Sequence, residues 1–231
     1  MLIRLFDIVF SITALVVFSP LLLLITACLL LTGEHHVIYR QKRAGKEGKE
    51  FDLLKFATMV ADAPNLPGGM HTLVNDPRLL PMGKFLRKTK INELPQLLNI
   101  LKGDMSFIGY RPTITSVYKE WPEWARNKLR FTEPGLSGIG SIVFRNEEEL
   151  LQKQENKTEY YLKHILPYKV ELECWYYDHK TVFLYLHLII LTMDAVLGGQ
   201  KWKKIKGLPE IPKDLQGGLN EVNFDNSKSR N

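Results

Sequence analysis

The first hydrophobic segment of the chain is long and uncharged. No charged residue occurs between Asp7 and Glu34. A helix of about 26 residues would be roughly 39 Å long, which exceeds a hydrocarbon core of about 30 Å. A cleaved signal peptide is disfavoured, because the segment is too long and has no small-residue cleavage site before a polar start. A transmembrane anchor and a re-entrant hairpin remain as interpretations.

Ser19-Pro20 lies at the centre of this segment and is the feature that favours the hairpin. Proline removes one helix hydrogen bond and clashes with the preceding turn, so a kink is expected there. A neighbouring serine hydroxyl can bond to a carbonyl group that the proline frees. Two arms of about 12 residues would each be too short to cross a bilayer. Because spanning helices also contain proline, these residues alone leave both interpretations open.

Periodicity in the rest of the chain predicts an α/β fold that is mostly helical. In residues 37–59, β-branched and aromatic residues flank Gly45 and Gly48, which predicts a strand, a turn and a second strand. Proline and glycine predict a loop over 61–74 and a turn over 134–138. Helices are expected over 115–131, 147–163 and 168–197, the second of them solvent-exposed.

Residues 84–112 contain the helix around which a site is expected. Leu94, Leu97, Leu98 and Leu101 have the i, i+3, i+4, i+7 spacing of a buried helical stripe. Pro95 suits the first turn of this helix. Gly103, which follows Lys102, is expected to end the helix as a left-handed C-terminal cap.

Polar residues gather at both ends of this predicted helix. Asn92 and Glu93 fall at its entrance, where free N–H groups and the helix dipole favour an anion. Cations precede the entrance, and an acid and an arginine follow the helix. The set indicates a phosphate-handling site, with a well-capped surface helix as the alternative. Its flanking members are Arg87, Lys88, Lys90, Asp104 and Arg111.

The charge of the chain narrows the choice of partners. The formal net charge is +6 and the sequence pI about 9.2, a balance that suits anionic lipid, phosphorylated substrates or nucleic acid. Nucleic acid is disfavoured, because aromatic residues are not interleaved with the basic ones. By the positive-inside rule, the basic cluster after the apolar segment places the following domain in the cytoplasm. That cluster is Arg40, Lys42, Arg43, Lys46 and Lys49.

Several kinds of catalytic chemistry are disfavoured, because the sequence lacks their motifs. It has no glycine-rich dinucleotide fingerprint, Walker loop or nucleophile elbow. Cys28 and Cys174 have no zinc-type spacing, and a structural disulfide between them is not expected, since Cys28 lies in the apolar segment.

Ordered motifs across the chain resemble the monotopic phosphoglycosyl transferases, the bacterial sugar transferase family that starts glycan assembly on polyprenyl phosphate. The resemblance covers roughly residues 2–199. Its carriers are Arg4-Leu5-Phe6-Asp7, Ser19-Pro20, Tyr39 to Gly45, Phe51 to Phe56, Thr58-Met59, Asp76-Pro77-Arg78, Gly83, Phe85-Leu86-Arg87, Glu93-Leu94-Pro95-Gln96, Leu101 to Ser106, Gly109, Arg111-Pro112, Pro134-Gly135 and Gly138.

The resemblance implies a re-entrant membrane helix broken at Ser19-Pro20 and a small membrane-associated domain on the cytoplasmic face of the bacterial inner membrane. The implied domains are the membrane helix at 1–33, a catalytic domain at 34–200 and a basic, polar tail at 201–231. The implied activity transfers a sugar 1-phosphate from a UDP-sugar to polyprenyl phosphate, gives UMP, and requires Mg²⁺. Membrane lipids, a second copy of the chain or downstream glycosyltransferases are the further partners expected.

The resemblance also implies roles for individual residues. Glu93 is expected to be the nucleophile or an acid/base group, and Arg111 to grip a donor phosphate, as a planar guanidinium does well. Arg78, Arg87, Lys90 and Pro112 are expected to bind substrate, with a supporting structural role as the alternative for the two arginines. Asp104 is expected to be a metal ligand or to cap the following turn.

Asn92 departs from the family pattern, which has Asp before the Glu. In family members this Asp is taken as the nucleophile and a Mg²⁺ ligand, and an amide is poor at both tasks. The chain is therefore a weakened or trapped variant that binds without turnover, an enzyme that works through Glu93, or one whose metal site uses Asp104 or Asp76. We favour an active transferase with an altered mechanism. Smaller departures are Ala57 for Arg and Tyr110 for Pro.

Overall fold

The computed structural model describes residues 1–32, 34–66 and 76–221. The helices are α1 (Leu2–Thr32), α2 (Gly83–Lys88), α3 (Gln96–Lys102), α4 (Thr115–Lys119), α5 (Glu123–Leu129), α6 (Ile139–Val143), α7 (Glu147–Gln152), α8 (Lys157–Tyr160), α9 (Leu166–Asp178), α10 (Val182–Val196) and α11 (Lys213–Glu221). The strands are β1 (Ile38–Ala44), β2 (Glu50–Phe56), β3 (Ser106–Ile108) and β4 (Gly135–Ser137). Short 3₁₀ turns lie at Lys46–Gly48, Ala63–Asn65, Ile91–Glu93 and Lys201–Lys204, and a π turn at Tyr161–Ile165.

The chain divides into two compact units, which we describe separately. The N-terminal unit comprises residues 5–42 and 51–103, and the C-terminal unit comprises residues 1–4, 43–50 and 104–231. The sequence-based boundaries at 33 and 200 stay a prediction. The predicted mostly helical α/β class is confirmed.

Helix α1 is long and apolar enough to cross a membrane by length and composition. Pro20 lies inside it, and the Ser19 hydroxyl donates a hydrogen bond to the Val16 carbonyl at 2.8 Å. In a regular helix the backbone N–H at position 20 would bond to the Val16 carbonyl, but proline has no N–H. The Ser19 hydroxyl therefore replaces the missing donor, as the sequence predicts. The re-entrant arrangement stays a prediction.

The second half of α1 packs against the N-terminal unit. Ile25 and Leu29 are buried in a cluster with Phe56, Leu80 and Leu86. Helix α1 therefore shares a core with β2 and α2, and its C-terminal half is fixed to folded protein.

The predicted strand–turn–strand is confirmed as β1 and β2, which form a two-stranded sheet. Gly48 in the connecting turn has a φ of 70°, a conformation that L side chains rarely adopt. Much of the predicted loop over 61–74 lies outside the described residues, including Pro67, Gly68 and Gly69.

Helix α3 confirms the predicted cap but corrects the predicted stripe. Gly103 caps it in the left-handed conformation, with a φ of 97°. The buried face consists of Gln96, Leu97, Asn99 and Ile100, whereas Leu98 is 48% exposed. The face is rotated because the Asn99 side chain accepts from Leu54 N at 3.0 Å and donates to the Asp52 carbonyl at 2.8 Å.

The C-terminal unit contains a parallel strand pair that the sequence analysis missed. Residues 134–138 were expected to be a turn, but β4 pairs in parallel with β3, with Ser106 opposite Gly135 and Ile108 opposite Ser137. Gly135 is required there, because an added Cβ would lie 2.2 Å from the Gly109 nitrogen. Such a pairing has no local signal, since its partners are distant in sequence.

The long helices predicted in this unit are interrupted. Residues 115–131 form α4 and α5, and the break falls at Trp121-Pro122, where proline cannot continue a helix. Residues 147–163 form α7, α8 and part of the π turn, and residues 168–197 lie in α9 and α10 on either side of a break. The expectation that 147–163 is solvent-exposed is wrong at Leu150 and Leu151, which are buried.

Tyr110, one of the departures from the family pattern, is a core residue of this unit. Its ring meets the Trp121 ring edge-on, with centroids 5.5 Å apart. Both belong to a buried cluster with α5 and α9. A tyrosine at this position therefore contributes aromatic packing to the core of the C-terminal unit.

Candidate functional site

Asn92 and Glu93 lie together in the 3₁₀ turn Ile91–Glu93, immediately before α3. The predicted position ahead of the helix is confirmed, although α3 begins only at Gln96. Asn92 is buried, and its Oδ1 atom has no hydrogen-bond partner within the described residues. A buried acceptor without a partner costs free energy, so this amide oxygen is a place where a ligand would be stabilised.

Lys90, the residue immediately before this turn, has an uncommon backbone conformation. Its φ of 61° and ψ of 9° put a non-glycine residue in the left-handed region, which costs on the order of 1 kcal/mol or more. Gln96, one turn after Asn92, is also buried, and its Nε2 atom has no partner within the described part of the chain. A strained residue therefore precedes the 3₁₀ turn, and two buried amide atoms without a partner in the described residues lie in the turn and at the start of α3.

The two arginines of the N-terminal unit that were predicted to bind substrate form hydrogen bonds to protein groups. Arg78 is buried and grips Asp76 with two bonds, Nε to Oδ1 at 2.8 Å and Nη2 to Oδ2 at 2.6 Å. Arg87 donates from Nε to the Thr58 hydroxyl at 2.8 Å. These contacts give Arg78 and Arg87 structural roles, and a role in substrate binding stays a prediction for both.

The remaining predicted residues belong to the C-terminal unit, where Asp104 and Arg111 are partly exposed and Pro112 is buried. Asp104 follows Gly103 and precedes β3, and Pro112 follows Arg111 after the same strand. The two groups of predicted residues are thus divided between the two units.

Few side chains in the described residues could bind Mg²⁺ together. No group of three or more His, Cys, Asp or Glu side chains that could hold a metal occurs among the described residues. Mg²⁺ is commonly bound by one or two carboxylates together with substrate phosphates, so a full protein cage is not needed. Asn92 and Glu93 are consecutive residues of one 3₁₀ turn and carry oxygen donors of the kind that such a partial site uses, while Asp104 lies in the other unit.

The C-terminal unit contains a buried carboxyl group that the sequence analysis did not single out. Glu173 on α9 is 5% exposed; its Oε1 accepts from the Gly140 N–H at 3.1 Å, and its Oε2 has no partner within the described residues. Burial raises the pKa of Glu173 to about 8, against the opposing effects of the Gly140 N–H and Lys169. A Cβ added at Gly138 or Gly140 would lie 2.8 Å from its Oε1.

Lys169, one turn before Glu173, is the second charged residue of α9 that the sequence analysis missed. It forms an ion pair with Glu147 and lies under the rings of Phe144 and Tyr161. The available signal was the i, i+4 spacing of two charged residues among the apolar positions of α9.

Comparison with known proteins assigns the chain to a family. A family model described as bacterial sugar transferase matches residues 1–199. The chain is 35% identical over 184 residues to a Klebsiella pneumoniae UDP-glucose:undecaprenyl-phosphate glucose-1-phosphate transferase, covering 78% of this chain and 38% of that protein. It is 36% identical over 171 residues to the exopolysaccharide production protein ExoY of Rhizobium meliloti. This match covers 68% of this chain and 75% of ExoY.

A third relative is an uncharacterized sugar transferase, EpsL of Bacillus subtilis, 34% identical over 194 residues that cover 84% of this chain and 86% of EpsL. Some relatives are therefore about as long as this chain, whereas in others the matched region is less than half of the protein. The match covers the 3₁₀ turn with Asn92 and Glu93, the parallel strand pair β3–β4 and all of α10. The chain belongs to the bacterial sugar transferase family.

Proposed function

We propose that this protein transfers a sugar 1-phosphate from a UDP-sugar to undecaprenyl or another polyprenyl phosphate and so starts a bacterial glycan. The observation that carries the proposal is the match over residues 1–199 to a family whose relatives include a UDP-glucose:undecaprenyl-phosphate glucose-1-phosphate transferase and an undecaprenyl-phosphate galactose phosphotransferase. The comparisons give no support to a catalytically silent protein.

The reaction exchanges one phosphoanhydride bond for another. An oxygen of the acceptor phosphate forms a bond to the β-phosphorus of the donor, and the bond from that phosphorus to the UMP oxygen breaks. If Glu93 is the nucleophile, its carboxylate takes the sugar phosphate first, and the lipid phosphate then displaces Glu93. If Glu93 is a base, attack by the lipid phosphate is direct.

Asn92 and Glu93 have different roles in the proposed reaction. The uncharged Asn92 amide contributes a buried oxygen without repelling the donor phosphates. Bound Mg²⁺ would neutralise charge on the leaving phosphate. The protein oxygens proposed to hold it are Asn92 Oδ1 and the Glu93 carboxylate, and Arg111 is proposed to grip a donor phosphate.

The membrane arrangement belongs to the same proposal. Helix α1 is proposed to enter the inner membrane as a re-entrant hairpin bent at Ser19-Pro20, with the remaining chain on the cytoplasmic face. Two observations support this proposal. The Ser19 hydroxyl bonds to the Val16 carbonyl that proline leaves without a donor, and Ile25 and Leu29 pack against the N-terminal unit. The acceptor phosphate would then meet the protein at headgroup level.

The test is release of UMP from a panel of UDP-sugars with undecaprenyl phosphate and Mg²⁺. The parent should turn over, and Glu93→Gln should lower kcat by on the order of 100-fold or more, since it removes both nucleophile and base. Asn92→Asp should stay active. Glu148→Gln, an exposed change on α7, is the matched control and should have no effect.

Two outcomes would contradict the proposal. If Glu93→Gln turned over normally, Glu93 would have no chemical role. If only Asn92→Asp released UMP, the chain with Asn92 would be a disabled transferase, and its function would be binding.

A further inference from the structure

Helix α3 and the 3₁₀ turn before it carry three buried side-chain amides, Asn92, Gln96 and Asn99. Asn92 is 7% exposed, and the other two are 2% exposed. Burying an amide costs free energy unless its polar atoms are hydrogen-bonded, so each of these side chains needs partners. An amide of this group without partners therefore requires an explanation other than stabilisation of the fold.

Asn99 has the contacts of a structural amide. Its Oδ1 accepts from Leu54 N at 3.0 Å, and its Nδ2 donates to the Asp52 carbonyl at 2.8 Å. Both polar ends of this side chain are thus bonded to the backbone of β2. Neighbouring protein can therefore satisfy an amide on the buried face of α3.

Gln96 and Asn92 differ from Asn99 in this respect. Gln96 Nε2 and Asn92 Oδ1 are buried, and neither atom has a hydrogen-bond partner within the described residues. Their requirements are opposite, because the Gln96 nitrogen can only donate, whereas the Asn92 oxygen accepts a hydrogen bond or binds a cation. A phosphate group with its bound Mg²⁺ meets both requirements. A single water molecule would meet them as well, and the two ligands predict different results for variants of Gln96.

The positions of the two amides favour a ligand of the proposed reaction over a water molecule. Glu93, the residue proposed to react with or activate a substrate, lies between Asn92 and Gln96 in the chain. The helical path is continuous there, since Leu94 and Pro95 have right-handed helical dihedral angles. Four residues of α- or 3₁₀-type helix rise about 6–8 Å. A phosphate beside Glu93 is therefore no more than about one helical turn from either amide.

We propose that Gln96 is a substrate-binding residue whose Nε2 donates a hydrogen bond to a phosphate oxygen beside Glu93. Asn92 contacts the same ligand through its Oδ1. Without the ligand both atoms stay buried and lack a partner in the described part of the chain, and the entering phosphate supplies one. The inference rests on the proposed function for the source of this phosphate. That source is either the diphosphate of the UDP-sugar or the phosphate of the polyprenyl acceptor.

The proposal predicts that Gln96 lowers the stability of the ligand-free protein. Gln96→Met keeps a similar volume and removes the buried donor, so the Tm without ligand should rise by about 2 °C or more. Asn99→Leu is the matched comparison, because it removes an amide that is bonded at both ends, and it should lower the Tm. If a water molecule satisfied Gln96 instead, Gln96→Met would lose that bond and its Tm would fall. Thermal unfolding of the full chain in detergent measures these shifts.

The same variant should bind phosphate less tightly. Isothermal titration calorimetry of the full chain in detergent, with Mg²⁺, uses UDP and farnesyl phosphate as probes. Gln96→Met should weaken binding by about tenfold or more, the usual size of a hydrogen bond to a charged group. Gln96→Glu, which replaces the donor by an acceptor, should weaken it further. Leu98→Met, on the exposed side of α3, is the control and should bind like the parent.

The two probes separate the sources of the phosphate. A loss of affinity for UDP alone assigns Gln96 to the donor, and a loss for farnesyl phosphate alone assigns it to the acceptor. A loss for both probes places the bond at a position that both phosphates use.

The proposal is overturned if Gln96→Met lowers the Tm or fails to fold, if it binds both probes like the parent, or if the parent binds neither probe. Binding measured in this way does not depend on turnover. A parent that released no UMP but bound a probe through Gln96 would disprove the transferase and leave the phosphate site standing.

Discussion

At the scale of single residues, Glu173 is a carboxyl group enclosed by protein backbone. Gly138 and Gly140 pass so close to it that neither position has room for a Cβ. The group accepts a backbone N–H, and its other oxygen is buried without a partner in the described residues. Such a site stabilises the protonated acid over the carboxylate.

Stability should therefore fall as pH rises, because of Glu173. Its folded pKa is about 8 and its ordinary value 4.5, so the folded state holds the proton more tightly, and this contribution is lost as pH rises from about 5 through 8. Glu173→Gln keeps the acceptor for Gly140 N–H and cannot ionise. Its stability relative to the parent should rise between pH 5 and pH 9, by on the order of a few kcal/mol.

Urea unfolding across that pH range measures the difference. Glu148→Gln, on the surface of α7, should follow the parent at every pH. Parallel curves for Glu173→Gln and the parent would contradict the prediction.

At the scale of elements, local signals predicted some features and failed on others. The β1–β2 hairpin and the Gly103 cap follow from residues next to each other in sequence, and both were predicted. The stripe of α3 was wrong because Asn99, a polar residue, faces inward to bond to the backbone of β2. Contacts of this kind depend on an element 45 residues away and leave no periodic signal.

The candidate site shows the same division. Asn92 and Glu93 were found because they flank a helix start, and the structure places them in one 3₁₀ turn. Lys169 and Glu173 were missed, since their contacts come from α6, α7 and the residues around those helices, which lie more than 20 positions earlier in the chain.

Helix α1 makes a prediction about coupling between neighbours. Ser19→Ala should cost about 1 kcal/mol, because the Val16 carbonyl loses its donor. In a Pro20→Ala background the backbone N–H at position 20 becomes available to that carbonyl, so Ser19→Ala should cost little. Thermal unfolding in detergent of the four proteins of this double-mutant cycle gives the coupling. Equal costs in both backgrounds would show that serine does not replace the missing bond.

At the scale of the whole molecule, the proposed re-entrant helix predicts that both ends of α1 lie on the cytoplasmic side of the membrane. With Cys28 and Cys174 replaced by Ala, a single cysteine can be placed at Leu2 or His36. If α1 is re-entrant, a membrane-impermeant maleimide should label neither position in intact cells and both after lysis. If α1 spans the membrane, Leu2→Cys should be labelled in intact cells. Lys203→Cys is the control, and it should react only after lysis.

The parallel pair of β3 and β4 has a consequence for synthesis in the cell. Ser106 and Gly135, its first partners, are 29 positions apart in the chain. At a translation rate of about 5–20 residues per second, β3 waits roughly 1.5–6 s for its partner to be made. Helix α1, which we propose enters the membrane, leaves the ribosome well before that, so it can reach the bilayer before β3 has paired with β4. Membrane targeting is thus expected to precede completion of the fold, and a slower ribosome between these strands would lengthen the aggregation-prone interval.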